Sequence, residues 1–105
     1  MNDQAQSIAR EFAALLRERL GDHIKQVILF GSQARGDARE GSDYDVLVIV
    51  DERTPELREE VLDVDVEMMN RHEILFASII KTEKEWLRLE KFPIGWNVKQ
   101  EGIAL

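Results

Sequence analysis

Gly31 and Ser32 close one apolar run of the sequence, and after ten intervening residues Asp43 and Asp45 stand two apart at the start of another. On a strand, residues two apart project to the same face, about 6.5–7 Å from one another along the chain. The two carboxylates therefore converge while Tyr44 points away. Converging carboxylates repel each other unless a cation sits between them. Mg²⁺ suits such a pair, because it is usually held by one or two carboxylates with phosphate oxygens and water filling its remaining positions. Two such ions about 3.5–4 Å apart can stabilise both the attacking and the leaving oxygen of a phosphoryl transfer. The glycine-serine turn supplies the complement. Gly31 removes a Cβ where the backbone must turn, and Ser32 reads as the N-cap of a short helical turn through Gln33, Ala34 and Arg35. The first amides of that turn and its positive dipole end would face an anion.

The elements that must position these residues can be read from periodicity. Ile8, Phe12, Leu15, Leu16 and Leu20 recur at three- and four-residue intervals, predicting an amphipathic helix over about Asp3 to Leu20 with Gly21 as its stop. Ile24 and Val27 to Phe30 form a first buried strand ending at Gly31. Asp37 to Ser42 is polar and reads as a loop, with Ser42 capping a turn. Asp43 to Val50 is the second strand, apolar on both faces beyond Asp45 and so suited to the middle of a sheet. Thr54-Pro55 opens a helix expected to run to about Asn70, with Leu57, Val61, Val64 and Met68 as its stripe and Leu62, Val66 and Met69 widening it. The same segment alternates apolar and acidic residues from Leu62, the period of a strand, but the cap and the stripe back to Leu57 favour helix. Ile74 to Ile80 reads as a third strand. Thr82 to Glu85 fits a capping box opening a helix with Trp86, Leu87 and Leu89, which Pro93 and Gly95 break. A further turn from Trp96 to Glu101 and a terminal strand Ile103 to Leu105 complete the order. The expectation is an α/β (α+β) domain, residues 1–105, with a mixed central sheet flanked by helices.

Composition narrows the function classes. A formal charge of −7 makes the chain a poor match for a nucleic-acid backbone, so no direct nucleic-acid binding is expected. With no cysteine, disulfides, thiolate metal sites and cysteine nucleophiles are excluded. The polar N-terminus and the lack of an apolar run near the roughly 20 residues that span a bilayer point to a soluble protein that stays in the cytoplasm, with no membrane partner.

Gly31-Ser32, ten residues, then Asp43-Tyr44-Asp45 resembles the GSx10DxD signature of the polymerase-β-like nucleotidyltransferase superfamily. The longer match, Gly31 to Gly36 with Ser42 to Asp45, looks like its smallest members, the minimal nucleotidyltransferases encoded beside HEPN-domain toxins. The resemblance implies the nucleotidyltransferase fold, with Asp43 and Asp45 as catalytic Mg²⁺ ligands and with Gly31 and Ser32 gripping the phosphates of ATP. Arg35 either neutralises phosphate charge or fixes the loop through a salt bridge. It further implies transfer of AMP to a hydroxyl, most naturally a tyrosine of a HEPN-domain partner, in the role of an antitoxin. The acceptor surface must then come from that partner or from a self-associated copy.

The chain departs from the pattern at one place. Superfamily members usually carry a third acid on the strand after the crossover helix, and Ile74 to Ile80 contains neither Asp nor Glu. Glu73 at its edge and Ser78 within it are the candidates for that place, and Asp63 and Asp65 enter only if their segment is a strand. This departure keeps a second function open, a binding module that neutralises its partner without catalysis. An aminoglycoside-type nucleotidyltransferase shares the motif but normally has an added helical domain. His23 and His72 follow helix ends and read as surface or capping residues. Phe92 to Trp96 reads either as a lid on the core or as an exposed partner-binding patch.

Overall fold

The computed structural model describes residues 3–36, 38 and 43–105. The connection expected over 37–42, Ser42 included, lies outside them except at position 38. Helix α1 spans Asp3–Leu20 and is followed by a single 3-10 turn, Gly21–His23. Strand β1 is Ile24–Phe30, α2 is the four-residue turn Ser32–Arg35, and β2 is Tyr44–Val50. Helix α3 spans Pro55–His72, β3 Phe76–Thr82, α4 Glu83–Leu89, α5 Pro93–Glu101, and β4 is the pair Ile103–Ala104.

The strands form one sheet in the order β3-β2-β1-β4. β1 runs antiparallel to β2 and to β4, whereas β2 and β3 are parallel because α3 crosses over between them. Period-2 alternation divides the sheet between two helical layers. Val27, Leu29, Val46, Val48 and Val50 pack with Phe12, Leu16, Leu57, Val61 and Met68 of α1 and α3. Ile28, Leu47 and Ile49 face the other way, onto Trp86 of α4 and Val98 of α5. This is why β2 is apolar on both faces. Removing side chains such as Leu16, Leu29 and Met68 from water contributes about 1.5–3 kcal/mol each.

The local signals that start the helices act as their residue types require. Thr54 Oγ1 accepts a hydrogen bond from the Leu57 amide at 3.1 Å, with Pro55 behind it. Thr82 and Glu85 close a reciprocal capping box. Several boundaries differ from expectation. Asp43 precedes β2 rather than opening it, and β3 starts at Phe76 and runs to Thr82. Pro93 does not break a helix but begins α5, where its missing donor costs nothing. Gly95 lies inside α5, where a Cβ would collide with the Leu89 carbonyl, so it lets α5 approach the end of α4.

The apolar stripe of α3 is narrower than expected. Leu57, Val61, Val64 and Met68 are buried, but Leu62, Val66 and Met69 are 59%, 52% and 38% exposed. They share the side of the helix that carries Asp65. Asp65 meets the edge strand at Ser78, so this row lies out toward the sheet edge and nothing among the described residues buries it.

Candidate functional site

The candidate residues gather where the end of β1 meets the start of β2. Phe30 is the register partner of Asp45, so the chain leaves β1 directly beside the Asp45 carboxylate. Gly31 takes φ 75° and ψ −157°, a conformation open essentially to glycine alone, and a Cβ built there would run into the Asp45 carboxylate. The glycine is therefore required twice, by its backbone and by the space it leaves beside an acid. Gly31, not Ser32, is the N-cap; Ser32 is the first helical residue. The Gly31 carbonyl accepts from the Ala34 and Arg35 amides at 3.1 and 3.0 Å, which closes the turn. The opening amides of such a turn have no partner within the helix itself.

Tyr44 anchors the acidic pair. It is 5% exposed, its ring lies 5.0 Å from that of Phe76, and Phe76 stacks on Phe12 at 4.4 Å. Such ring pairs add about 0.5–1.5 kcal/mol to their burial. The Tyr44 amide also donates to the Leu75 carbonyl at 3.0 Å. With Tyr44 held in the α1/α3 layer, Asp45 is directed to the opposite face. Asp43 is exposed, while Asp45 is partly buried. Burial first, and the negative charge of Asp43 second, push the Asp45 carboxyl above its ordinary value, while Arg35 pulls it down. The charges of Asp43 and Arg35 are thus both felt at Asp45.

Arg35 reaches across the fold, donating from Nη1 to Glu101 Oε2 of α5 at 3.0 Å. The loop-fixing salt bridge therefore exists, and the same guanidinium contributes positive potential at Asp45. Glu101 is sixty-six residues away in sequence, and no local pattern marks it as a partner.

The candidates for a third acid are not brought to the pair. Parallel register sets Asp45 against Ala77 and Val46 against Ser78, so Ser78 faces the α1/α3 layer and Ala77 holds the place opposite Asp45. Ser78 Oγ instead donates to Asp65 Oδ1 at 2.7 Å, beneath the sheet. Burial raises the Asp65 carboxyl to about 6, and the Ser78 hydrogen bond opposes that rise. Asp65 and Asp63 are on a helix, as the cap at Thr54 requires, and Asp63 lies 3.8 Å from Arg19. Glu73 ends α3 with φ 56°, exposed. Among the described residues no three His, Cys, Asp or Glu side chains form a group that could hold a metal. The two histidines are paired elsewhere, His23 with Asp51 at 2.9 Å and His72 with Glu11 at 3.1 Å.

An apolar pocket of about 300 Å³ opens on the Asp45 face. Phe30 beside Asp45, Leu47 two residues along β2 and Ile79 on β3 form its floor, and Ile94 of α5 stands at its rim. The share of a face that follows from strand alternation could have marked Leu47, but the α5 contribution depends on tertiary packing. Phe92, Ile94 and Trp96 are 59%, 58% and 59% exposed, so these side chains lie at the surface and do not form a lid on the core. No helix among the described residues is long and apolar enough to cross a membrane.

A family model described as a nucleotidyltransferase domain matches residues 9–100. The chain is 30% identical over 96 residues to MJ0604 of Methanocaldococcus jannaschii, inferred to be a protein adenylyltransferase; the match covers 91% of this chain and 92% of that one. Among solved structures, the fold is similar to a chain in a complex of a tri-AMPylated Shewanella oneidensis HEPN toxin with MNT antitoxin. There the TM-score is 0.56 at 14% identity, covering 95% of this chain and 70% of the other. It is also similar to a chain of a toxin–antitoxin crystallised with AMP-PNP, with TM-score 0.58 at 13% identity, covering 90% and 69%.

Proposed function

The chain belongs to the nucleotidyltransferase domain family, and from that premise we propose that it moves the AMP group of ATP onto a protein hydroxyl, a tyrosine of a HEPN-domain partner, and so acts as an antitoxin. One observation carries the reading. Gly31 is bare where any side chain would strike Asp45, so phosphate turn and carboxylate pair form a single cradle. The relatives' names support the reaction, and the complexes of toxin and antitoxin support the partner.

Asp43 and Asp45 would hold Mg²⁺, a fit supported by two neighbouring acidic side chains whose charges oppose each other until a cation joins them. The bound ion would neutralise charge developing on the transferred phosphate. Gly31 and Ser32 orient the phosphates of ATP, and Arg35, fixed by Glu101, adds positive potential beside them. The acceptor hydroxyl oxygen forms a bond to the α-phosphorus, the bond to the β-phosphate breaks, pyrophosphate leaves and the hydroxyl proton passes to solvent. Ala77 opposite Asp45 leaves the pair without an acidic companion on β3, so the site relies on positioning more than on a third carboxylate.

That same alanine favours a second reading, in which the domain neutralises its partner by binding alone. Calorimetry separates the two. The transferase reading expects Mg²⁺-dependent heat on adding ATP, lost in the Asp43→Asn/Asp45→Asn variant. Absence of any Mg²⁺-dependent ATP binding would leave the binding module as the account of the fold.

A further inference from the structure

Helices α4 and α5 meet the sheet with one side and form a groove on the other. Trp86 and Val98 pack on the strands. Leu87, Arg88 and Lys91, three and four residues apart along α4 and the turn after it, face Trp96 and Lys99 of α5 across a cavity of about 560 Å³. Leu87 and Trp96 are 61% and 59% exposed, an apolar surface among cations. Glu90 is the one acid in the lining, and Lys99 Nζ meets it at 3.4 Å. Arg88 and Lys91 have no ion pair among the described residues, nor has Lys84, one turn earlier on the same side of α4. These cations stand out from the rest of the chain. Residues 81–105 hold five Lys and Arg against four Asp and Glu, whereas residues 1–80 hold nine against seventeen. Three of those four acids are already met, Glu85 by Arg53, Glu90 by Lys99 and Glu101 by Arg35. The groove is a local positive field on an acidic protein.

We propose that the α4–α5 groove docks an acidic segment of a partner protein, with one bulky apolar side chain of that segment seated on Leu87 and Trp96 and flanking carboxylates meeting Arg88 and Lys91. A nucleic-acid backbone fits this pattern poorly, because a polyanion long enough to track a row of cations would run onto the acidic remainder of the surface. A short acidic segment responds to the patch alone, since charges farther away than about 8 Å are screened at physiological salt. The indole and the leucine add an apolar contact that a bare anion would not use. Trp and Arg are also the residue types that dominate the energetics of protein–protein contacts. The groove belongs to the outer side of α4 and α5, away from the phosphate cradle, and the inference stands whether or not AMP is transferred.

The test is a titration of the nitrogen-15-labelled whole chain, read at the indole N–H signals of Trp86 and Trp96, which Trp96→Phe assigns. The probes are the blocked hexapeptides Glu-Glu-Leu-Phe-Glu-Glu, Glu-Glu-Gly-Ser-Glu-Glu and Lys-Lys-Leu-Phe-Lys-Lys, and a thymidine hexanucleotide. The first peptide is expected to shift the Trp96 signal saturably and to leave the signal of the buried Trp86 in place. The glycine-serine peptide should bind about tenfold more weakly for want of its apolar pair. The lysine peptide and the hexanucleotide should leave the Trp96 signal where it is. Arg88→Glu/Lys91→Glu should weaken the first peptide about tenfold, with the Trp86 signal as the check on the fold. Added salt should weaken it in the parent chain, which tests the charge contacts without a variant. A Trp96 signal that the first peptide does not move would overturn the proposal. So would a glycine-serine or lysine peptide that binds as tightly as the first, or a hexanucleotide that moves the signal and so makes the groove a nucleic-acid site.

Discussion

Asp65 should make the protein less stable as the pH rises through about 6, and Asp65→Asn should remove that dependence. Its carboxyl is drawn under the sheet by Ser78 and raised by burial from the ordinary aspartate range to about 6. The folded state therefore binds the proton more tightly than the unfolded chain, whose aspartates titrate near about 4. The stabilising contribution is complete below that lower value and is lost as pH rises through the folded value. A rise from about 3.9 to about 6, at about 1.4 kcal/mol per pH unit, caps the effect at about 3 kcal/mol. Because the carboxyl retains some contact with solvent, about 1–2 kcal/mol is the expected size. Asparagine keeps an oxygen to accept the Ser78 hydrogen and never ionises. Urea unfolding followed by circular dichroism at pH 4.5, 6 and 7.5 (about the range over which Asp65 titrates) should give a variant-minus-parent difference growing toward the parent's disadvantage. The other titrating groups are common to both chains and cancel. A difference that is constant with pH, or that shrinks as pH rises, would refute the placement of Asp65 as a partly buried acid whose proton the fold retains.

Other outcomes follow from the same geometry. Ala77→Asp puts a carboxylate opposite Asp45, so thermal unfolding in EDTA should occur at a lower temperature than in the parent, while added Mg²⁺ should raise the variant more than the parent. Gly31→Ala should cost about 1–3 kcal/mol from its backbone conformation alone and should also displace Asp45; unfolding midpoints and ATP calorimetry would record both losses. Thr54→Ala removes the cap of α3 and should lower stability by about 1 kcal/mol in urea with ATP affinity unaltered.

Much of this fold was legible in the chain because its signals are local. Thr54-Pro55 and the Thr82–Glu85 box start helices where their hydrogen-bonding chemistry dictates. The two-faced apolar run of β2 marked it as central, and Gly31 marked the turn. What was not legible depends on partners distant in sequence. The exposed row Leu62, Val66 and Met69 has the same periodicity as a buried one, and its exposure is set by the position of α3 at the sheet edge. The face on which Ser78 lies follows from the register of β3 against β2, and a strand start two residues from the expected one gives no warning of it. Pro93 could end one helix or begin the next, and the approach of α5 to Leu89 through Gly95 decides it.

The most direct measurement is transfer of label from α-phosphate-labelled ATP to the proposed HEPN-domain partner, in Mg²⁺, by the parent chain and by Asp43→Asn/Asp45→Asn. The account predicts covalent labelling of a partner tyrosine by the parent, abolished in the double variant and by EDTA. An unlabelled partner, or one labelled equally by the double variant, would contradict it.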